Sequence, residues 1–248
     1  MKKFGLIGHP IAHSLSPALF KAAYDGKYAY DLIEGEDFET SYRRFAEEYN
    51  AINVTAPFKE PAFSKADILS EECKVIGATN LLVKTPEGIK AYNSDFLGVR
   101  MWLSEVAEDL KGVKILIVGL GGAGKAAAAA AESLGMEVIR MNRTVRDSTT
   151  HPLDEFRQYF READIIIYNI PTAIPELKEL TESDFPADRP KHILEANYKD
   201  PSMAEILKPF GSKAVYTGGR TWLLYQAVTG YEILTGEKPD LRRMSDVL

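Results

Sequence analysis

The chain has 248 residues, enough for one large domain or two small ones that each bury a hydrophobic core. Hydrophobic residues make up 45% of it and charged residues 27%, which is ordinary for a globular protein. The formal net charge of −6 argues against nucleic acid and anionic membrane surfaces as partners, and no uncharged apolar run is long enough to cross a bilayer.

The cysteine and histidine content argues against two kinds of structural site. Cys73 is the only cysteine, so an internal disulfide is impossible and a reducing cytoplasm fits. The four histidines lack the spacing of metal ligands, and we expect no metal site. The apolar stretch that follows Lys2-Lys3 is too short for a signal peptide. We therefore expect a cytoplasmic protein.

Short apolar segments alternate with helix-length segments along nearly the whole chain. This alternation is typical of an α/β protein with mainly parallel strands. In the first hundred residues we predict strands at about 3–8, 28–33, 51–55, 80–84 and 88–93, and a helix at about 95–108. Thr85-Pro86-Glu87-Gly88 predicts a turn between the last two strands. Ser16-Pro17 predicts a helix start, with Ser16 as its cap and Pro17 at the first helical position.

Polar residues collect at the ends of these strands. In Asn53-Val54-Thr55-Ala56-Pro57-Phe58-Lys59, Pro57 ends a strand and Lys59 lies at or just past the turn. Tyr92-Asn93-Ser94-Asp95 closes the next strand pair and offers a carboxylate as a partner for the lysine. A cation and a carboxylate placed in this way predict a site where a reaction uses Lys59.

The character of the chain changes near residue 114. Lys114-Ile115-Leu116-Ile117-Val118 predicts a buried strand, Gly119-Leu120-Gly121-Gly122-Ala123-Gly124 follows at once, and an alanine-rich helix continues. A strand, Gly-x-Gly-x-x-Gly and a helix in this order are typical of dinucleotide-binding folds. We predict that Gly119, Leu120, Gly121, Gly122 and Ala123 hold the phosphates of a dinucleotide at the helix N-terminus. The alternative is a tight turn that binds nothing.

Further elements complete this half of the chain. We predict strands at about 137–141, 164–168, 192–196 and 214–216, and helices at about 222–234 and 239–247. The loop after the strand at 137–141 indicates which cofactor binds. An NAD site would have an acidic residue there, whereas this chain has Asn142, Arg143, Thr144 and Arg146. Guanidinium groups suit a ribose 2′-phosphate, so we predict NADP as the cofactor. The alternative is a solvated loop that is basic but binds nothing.

The polar motifs together resemble those of the shikimate dehydrogenase family. Its members carry Asn-Val-Thr-x-Pro-x-Lys, a later Asn-Thr-Asp, Ser-x-Ser-Pro after the first strand, Gly-Ala-x-Asn-Thr, and Gly-x-x-Met-Leu-x-x-Gln near the end. This chain has the corresponding segments, which are residues 53–59, 93–95, 14–17, 77–81 and 219–226 respectively. Along the chain the motifs come in the same order as in the family. Asn142-Arg143-Thr144 also matches the NADP-selecting motif of the family.

The resemblance implies roles for individual residues. Lys59 would be the general acid/base, with Asp95 positioning both it and the substrate. Ser14 and Ser16 would hold the substrate carboxylate, although Ser16 as a helix cap only is the alternative. The contacts to the rest of the substrate would come from Thr55, Asn80, Tyr198 and Gln226. Gly219 would join the cofactor-binding residues.

The resemblance also implies a fold of two domains. An N-terminal α/β substrate-binding domain would comprise residues 1–97 plus 222–248. A Rossmann-type doubly wound parallel-sheet NADP-binding domain would comprise residues 98–221. The C-terminal helices would pack back on the first domain.

The chain departs from the family pattern at several positions. Phe20 replaces a histidine, Lys21 an asparagine, Leu81 a threonine and Trp222 a methionine, and Asn169-Ile170-Pro171-Thr172 replaces Asn-Thr-Thr-Pro. Asp147 stands where the NADP loop of the family commonly ends in arginine. Because a carboxylate repels a phosphate, we expect that Asp147→Ala, if anything, tightens NADP binding.

The resemblance implies NADP-dependent reduction of 3-dehydroshikimate to shikimate, and its reverse, in a monomer or homodimer. Three alternatives remain open at this stage. They are a relative that oxidises quinate or accepts both acids, a non-catalytic shikimate-binding sensor, and an unrelated Rossmann reductase. The last of these leaves Ser14, Thr55, Asn80 and Gln226 unexplained.

Overall fold

The structure, a computed structural model, describes residues 2–248. The chain divides into two compact units. The first comprises the chain up to Gly98 together with Leu224–Leu248, and the second is Val99–Leu223. Both divisions fall inside helices, which are defined below as α5 and α9. The assignment of the units to substrate and cofactor stays a prediction.

The first unit has a mixed six-stranded sheet in the order β2-β1-β3-β5-β6-β4. Its strands are β1 (Lys3–Gly8), β2 (Ala29–Glu34), β3 (Ala51–Val54), β4 (Ile68–Leu69), β5 (Leu81–Thr85) and β6 (Gly88–Tyr92). The strands β2, β1 and β3 are parallel, β5 is antiparallel to β3 and to β6, and β4 is parallel to β6. The carboxyl ends of β1 and β3 therefore lie side by side, with Ile7 opposite Val54.

Helices cover this sheet and bury an aliphatic and aromatic core. They are α1 (Ser16–Ala23), α2 (Phe38–Glu48), α3 (Lys59–Lys65), α4 (Glu71–Ile76), the first residues of α5 (Ser94–Val106), most of α9 (Gly219–Thr235) and α10 (Leu241–Ser245). Ile7, Ile33, Phe45 and Ile52 lie in the core with no exposed surface. The C-terminal helices pack on the start of the chain, as predicted, with the Asp240 N–H donating to the Ala23 carbonyl at 3.0 Å.

The second unit has an all-parallel six-stranded sheet in the order β12-β11-β10-β7-β8-β9. Its strands are β7 (Lys114–Val118), β8 (Glu137–Met141), β9 (Thr150–His151), β10 (Ile165–Tyr168), β11 (Lys191–Glu195) and β12 (Ala214–Thr217), and its helices include α6 (Gly122–Ser133), α7 (Phe156–Glu162) and α8 (Met203–Leu207). The chain runs from β7 through β8 to β9, and then returns to β10 on the other side of β7. Strand order thus reverses at β7, where open α/β sheets bind ligands. The predicted Rossmann-type fold is confirmed.

One local prediction needs correction, and two short strands were not predicted. Ser16 is not the cap of α1 but its first helical residue, because Leu15 already has helical backbone angles (φ −79°, ψ −8°). The two-residue strands β4 and β9 were not predicted, since segments this short carry no alternating pattern. None of the helices within residues 2–248 has both the length and the apolar character that a membrane crossing requires.

Candidate active site

Lys59 and Asp95 form an ion pair in the first unit. Lys59 is the first residue of α3, Asp95 lies in the first turn of α5, and the lysine Nζ donates to the aspartate Oδ2 at 2.5 Å. The side chains are 27% and 10% exposed, so the pair is largely shielded but still reachable by solvent. A charge-assisted hydrogen bond of this length holds the ammonium in one place.

The Asn80 side chain holds the start of α5. Asn80 is 4% exposed, and its Oδ1 accepts from the Ser94 N–H at 2.7 Å while its Nδ2 donates to Ser94 Oγ at 3.0 Å. Both ends of the amide therefore bond to the residue that precedes Asp95. In this structure Asn80 is a positioning group for the carboxylate, which the motif alone did not indicate.

Two further residues of this network were missed by the sequence analysis. The Asn93 Oδ1 accepts from the Phe96 N–H at 3.2 Å, which is an N-cap interaction for α5. The Thr79 hydroxyl donates to the Tyr92 carbonyl at 2.6 Å, next to the same helix start. Asn before a helix is a recognisable cap signal, so Asn93 was accessible to sequence reasoning. The Thr79 bond joins two strand ends and required the sheet register.

Thr55 follows β3 directly and lies beside the end of β1. A Cβ on Gly8 would come within 2.3 Å of Thr55 Cγ2, so the glycine lets the two strand ends approach. Within residues 2–248 the Thr55 hydroxyl makes no hydrogen bond, and its side chain is partly exposed. The Asn53 amide, two residues earlier, accepts from Tyr30 through Oδ1 and leaves Nδ2 without a partner among the same residues. Asn53 is a further candidate ligand that the sequence analysis did not name.

The hydroxyls of Ser14 and Ser16 lie together at the start of α1. They are 3.1 Å apart, and Ser14 Oγ also accepts from the Ser16 N–H at 3.2 Å. Ser14 thus makes the side-chain contact to the helix start that had been predicted for Ser16. Two hydroxyls at a helix N-terminus suit a carboxylate ligand.

Gln226 lies on α9 where this helix crosses α5. A Cβ on Gly98 would come within 2.6 Å of the Gln226 backbone nitrogen, and one on Gly230 within 3.1 Å of Ser94 Cβ. Two glycines therefore let α9 approach the same turn of α5 that carries Asp95. In residues 2–248 the partly exposed Gln226 side chain has no hydrogen-bond partner. The first unit thus brings Asn80, Asp95, Lys59 and Gln226 around the start of α5.

The glycine loop of the second unit has the conformation that its pattern predicts. Gly119 has φ +88°, and a Cβ on Gly124 would come within 1.9 Å of the Gly119 carbonyl oxygen. Gly121 and Gly122 have open space where a side chain would be, and α6 begins without a side-chain cap. The unpaired N–H groups at this helix start fit a dinucleotide phosphate.

The loop after β8 carries the arginines predicted to select the cofactor. Asn142 joins it to the glycine loop, since its Oδ1 accepts from the Leu120 N–H at 3.5 Å, while its Nδ2 donates to the Thr144 carbonyl at 3.3 Å. Arg143 and Arg146 are exposed, and neither forms an ion pair within residues 2–248. Two available guanidinium groups fit the extra phosphate of NADP.

Asp147 is engaged within this loop. Its Oδ1 accepts from the Thr149 N–H at 2.8 Å, from the Thr149 hydroxyl at 2.7 Å and from the Thr150 hydroxyl at 3.1 Å. The hydrogen bonds from Thr149 lower the pKa of Asp147 below its ordinary value. The carboxylate therefore orders the segment that follows the arginines.

Tyr198 and Gly219 lie in the second unit. Tyr198 is partly exposed and follows Asn197, whose Nδ2 donates to the Pro171 carbonyl at 3.0 Å and so joins two loops at the carboxyl end of the sheet. A Cβ on Gly219 would come within 2.5 Å of the Ala196 carbonyl oxygen, so α9 begins in contact with this segment. In residues 2–248, no three His, Cys, Asp or Glu side chains cluster as metal ligands would.

Comparison with known proteins shows which family the chain resembles. The family model of the shikimate dehydrogenase substrate binding domain matches residues 6–82, and that of the D-isomer specific 2-hydroxyacid dehydrogenase, NAD binding domain, matches residues 79–191. The shikimate dehydrogenase (NADP(+)) of Caldanaerobacter subterraneus subsp. tengcongensis is 30% identical, over 95% of this chain and 92% of its own. That of Natronomonas pharaonis is 32% identical, over 100% of this chain and 98% of its own.

A solved structure agrees with these sequence relatives. Shikimate 5-dehydrogenase from Thermus thermophilus, in complex with NADP(H) and shikimate, has a TM-score of 0.77 at 26% identity, and the match covers 100% of this chain and 98% of that one. Fold, motifs and full-length relatives therefore agree, and the chain belongs to the shikimate dehydrogenase family.

Proposed function

We propose that this protein is an NADP-dependent shikimate dehydrogenase, an oxidoreductase that interconverts 3-dehydroshikimate and shikimate in aromatic amino acid and chorismate biosynthesis. The single observation that carries the proposal is the Lys59–Asp95 pair, 2.5 Å apart at the start of two helices. Membership of the family excludes an unrelated Rossmann reductase.

Lys59 moves the proton. In reduction, its ammonium donates to the carbonyl oxygen of 3-dehydroshikimate while a hydride adds to the carbonyl carbon, and in oxidation the amine takes the proton back. Asp95 holds the ammonium and, through its second oxygen, accepts from a substrate hydroxyl. NADPH, when bound, supplies the hydride.

The remaining polar groups of the first unit bind the substrate. Ser14 and Ser16 donate to its carboxylate, and Thr55 and Gln226, with no bonds to other side chains in residues 2–248, are available for its hydroxyls. Unpaired polar groups of this kind reject molecules that lack the matching hydroxyl. Asn80 acts through Ser94, and Tyr198 is a further residue that we assign to the substrate.

The cofactor-binding residues are Gly119, Leu120, Gly121, Gly122, Ala123, Asn142, Arg143, Thr144, Arg146 and Gly219. The uncapped start of α6 and the open space at Gly121 and Gly122 fit a pyrophosphate, and the unpaired arginines fit a 2′-phosphate. We infer a cytoplasmic enzyme, which agrees with a lone buried Cys73, and a monomer or homodimer.

One assay tests the proposal. NADP reduction is followed with shikimate and quinate in parallel, and then with NAD in place of NADP. We expect the highest kcat/KM with shikimate and NADP. A higher kcat/KM with quinate would make the protein a quinate dehydrogenase, and binding of shikimate without turnover would make it a sensor.

A further inference from the structure

Two tyrosine hydroxyls donate to residues of the candidate site, Ser16 and Asn53. The Tyr231 hydroxyl donates to the Ser16 carbonyl at 3.1 Å, and the Tyr30 hydroxyl donates to Asn53 Oδ1 at 2.8 Å. Burial raises the pKa of both phenols well above the ordinary value, whereas a hydrogen bond with the Ser16 side chain lowers it. The Ser16 hydroxyl therefore lies beside both phenol groups. The phenols are therefore neutral donors next to an anion site.

The rings belong to an aromatic cluster that explains a departure from the family pattern. Phe20, which stands where the family usually has histidine, lies 4.5 Å from the Tyr30 ring and 4.8 Å from the Tyr231 ring, between centroids. Tyr231 is only 2% exposed. Because Phe20 packs against both rings, it restrains the positions of the two hydroxyls.

Each hydroxyl fixes the orientation of a group in the site. An asparagine amide can be turned either way, but a phenol O–H donating to Oδ1 leaves the Asn53 NH2 as the group presented to a ligand. In the same way, the bond from Tyr231 to the Ser16 carbonyl fixes the first turn of α1, and with it the Ser16 side chain. The first bond thus leaves an amide donor for an incoming carboxylate, and the second holds the residue whose hydroxyl is another donor.

We propose that Tyr30 and Tyr231 are positioning residues for the substrate carboxylate, acting through Asn53 and Ser16 respectively. The inference rests on the proposed function for the identity of the substrate. It adds two residues of β2 and α9 to the determinants of specificity for a cyclic hydroxy acid.

The test uses Tyr30→Phe and Tyr231→Phe, which keep the rings, with Tyr24→Phe as the matched control. Tyr24 lies in the same cluster, 5.1 Å from Phe20, but its hydroxyl bonds to Thr235 Oγ1 and the Glu237 carbonyl, away from Ser16. Each site variant should raise KM for shikimate about three- to tenfold, the worth of one hydrogen bond, with kcat within about twofold. The control should leave both constants unchanged, and thermal unfolding reports on the fold of all three.

The methyl ester of shikimate identifies the group that is positioned. If the tyrosines act on the carboxylate, their removal should cost much less with the ester than with the acid. An unchanged KM for both site variants, an equal loss with acid and ester, or a fall in kcat alone would each overturn the inference.

Calorimetric binding of shikimate to the NADP-free protein separates the two proposals. If the unmodified protein binds shikimate without reducing NADP, the proposed function fails, and the tyrosine inference is then judged on the dissociation constants of the same variants. If the protein reduces NADP with shikimate but the variants bind it equally well, the inference alone fails. Absence of any shikimate binding overturns both.

Discussion

At the scale of single residues, the site separates groups that bond to the protein from groups that are left available. Asn80 uses both ends of its amide on Ser94, whereas Thr55 and Gln226 have no side-chain partner in residues 2–248. The available groups are those from which binding energy for a ligand is expected, because bonded groups must first give up a partner.

Gln226→Ala tests this distinction. We expect KM for shikimate to rise about fivefold or more while kcat falls less, since the amide binds ground state and transition state alike. Gln158→Ala, on the exposed surface of the second unit, is the control. Steady-state kinetics decide the matter: an unchanged KM for Gln226→Ala would leave α9 a purely structural helix.

Asp147 shows how the structure revises a prediction made from charge alone. The sequence suggested that its removal tightens NADP binding, but the carboxylate holds Thr149 and Thr150 and so orders the loop. Asp147→Asn keeps an acceptor oxygen and removes the charge, whereas Asp147→Ala removes both. We expect Asp147→Asn to bind NADP more tightly than the unmodified protein and Asp147→Ala to bind it more weakly. Calorimetry measures both affinities, with NAD as the reference ligand. If Asp147→Ala binds NADP more tightly than Asp147→Asn does, the order of the loop does not affect NADP affinity and the charge of Asp147 alone determines it.

At the scale of elements, the position of the site depends on how closely α5 and α9 approach each other. Helix lengths and the glycine loop follow from sequence periodicity and turn chemistry, so most strands and both long helices were predicted. Sequence did not predict two close contacts, Gly98 with Gln226 and Gly230 with Ser94. Each joins residues more than a hundred positions apart, and glycine carries no pattern of its own. The prediction of Ser16 as the cap of α1 was wrong for another reason. Leu15 already has helical backbone angles, so the helix begins one residue earlier than the sequence indicates.

Gly98→Ala tests the crossing of α5 and α9. The new Cβ would lie 2.6 Å from a backbone nitrogen, which cannot rotate away, so the helices must separate. We expect the free energy of unfolding to fall by about 1–3 kcal/mol and KM for shikimate to rise. Gly218→Ala is the control, because its nearest neighbour would lie at 3.6 Å, an ordinary contact. Equal unfolding midpoints for the two variants would contradict the close approach.

At the scale of the whole molecule, the chain builds two units with separate sheets and cores. The second unit contains a buried cation that has no role in the proposed chemistry. Lys191, at the start of β11, is 1% exposed and donates to the carbonyls of Arg161 and Ala163 at the end of α7. Burial lowers its pKa from 10.5 to about 8. Sequence could not show this, because a lysine at a strand start is usually solvated.

Lys191 predicts a pH dependence of stability. Between about pH 8 and 10.5 the unfolded chain binds more protons than the folded protein, so the free energy of unfolding rises with pH across this window. Below this window the folded protein carries the full cost of burying the charged Lys191. We expect the free energy of unfolding of the unmodified protein to rise relative to Lys191→Met between about pH 7 and 9.5, by at most about 1.4 kcal/mol per pH unit. Denaturant unfolding at several pH values measures it. A constant difference would show that Lys191 keeps its ordinary pKa in the folded state.

The most direct test of the central claim is the kinetics of Lys59→Ala. We expect kcat for NADP-dependent shikimate oxidation to fall by at least about 100-fold while KM stays within about threefold, because the lysine acts in the transition state. Lys65→Ala, at the other end of the same helix and paired with Glu39 on the surface, should keep the activity of the unmodified protein. If Lys59→Ala keeps its turnover and shows a large rise in KM, Lys59 is a binding residue and not the general acid/base.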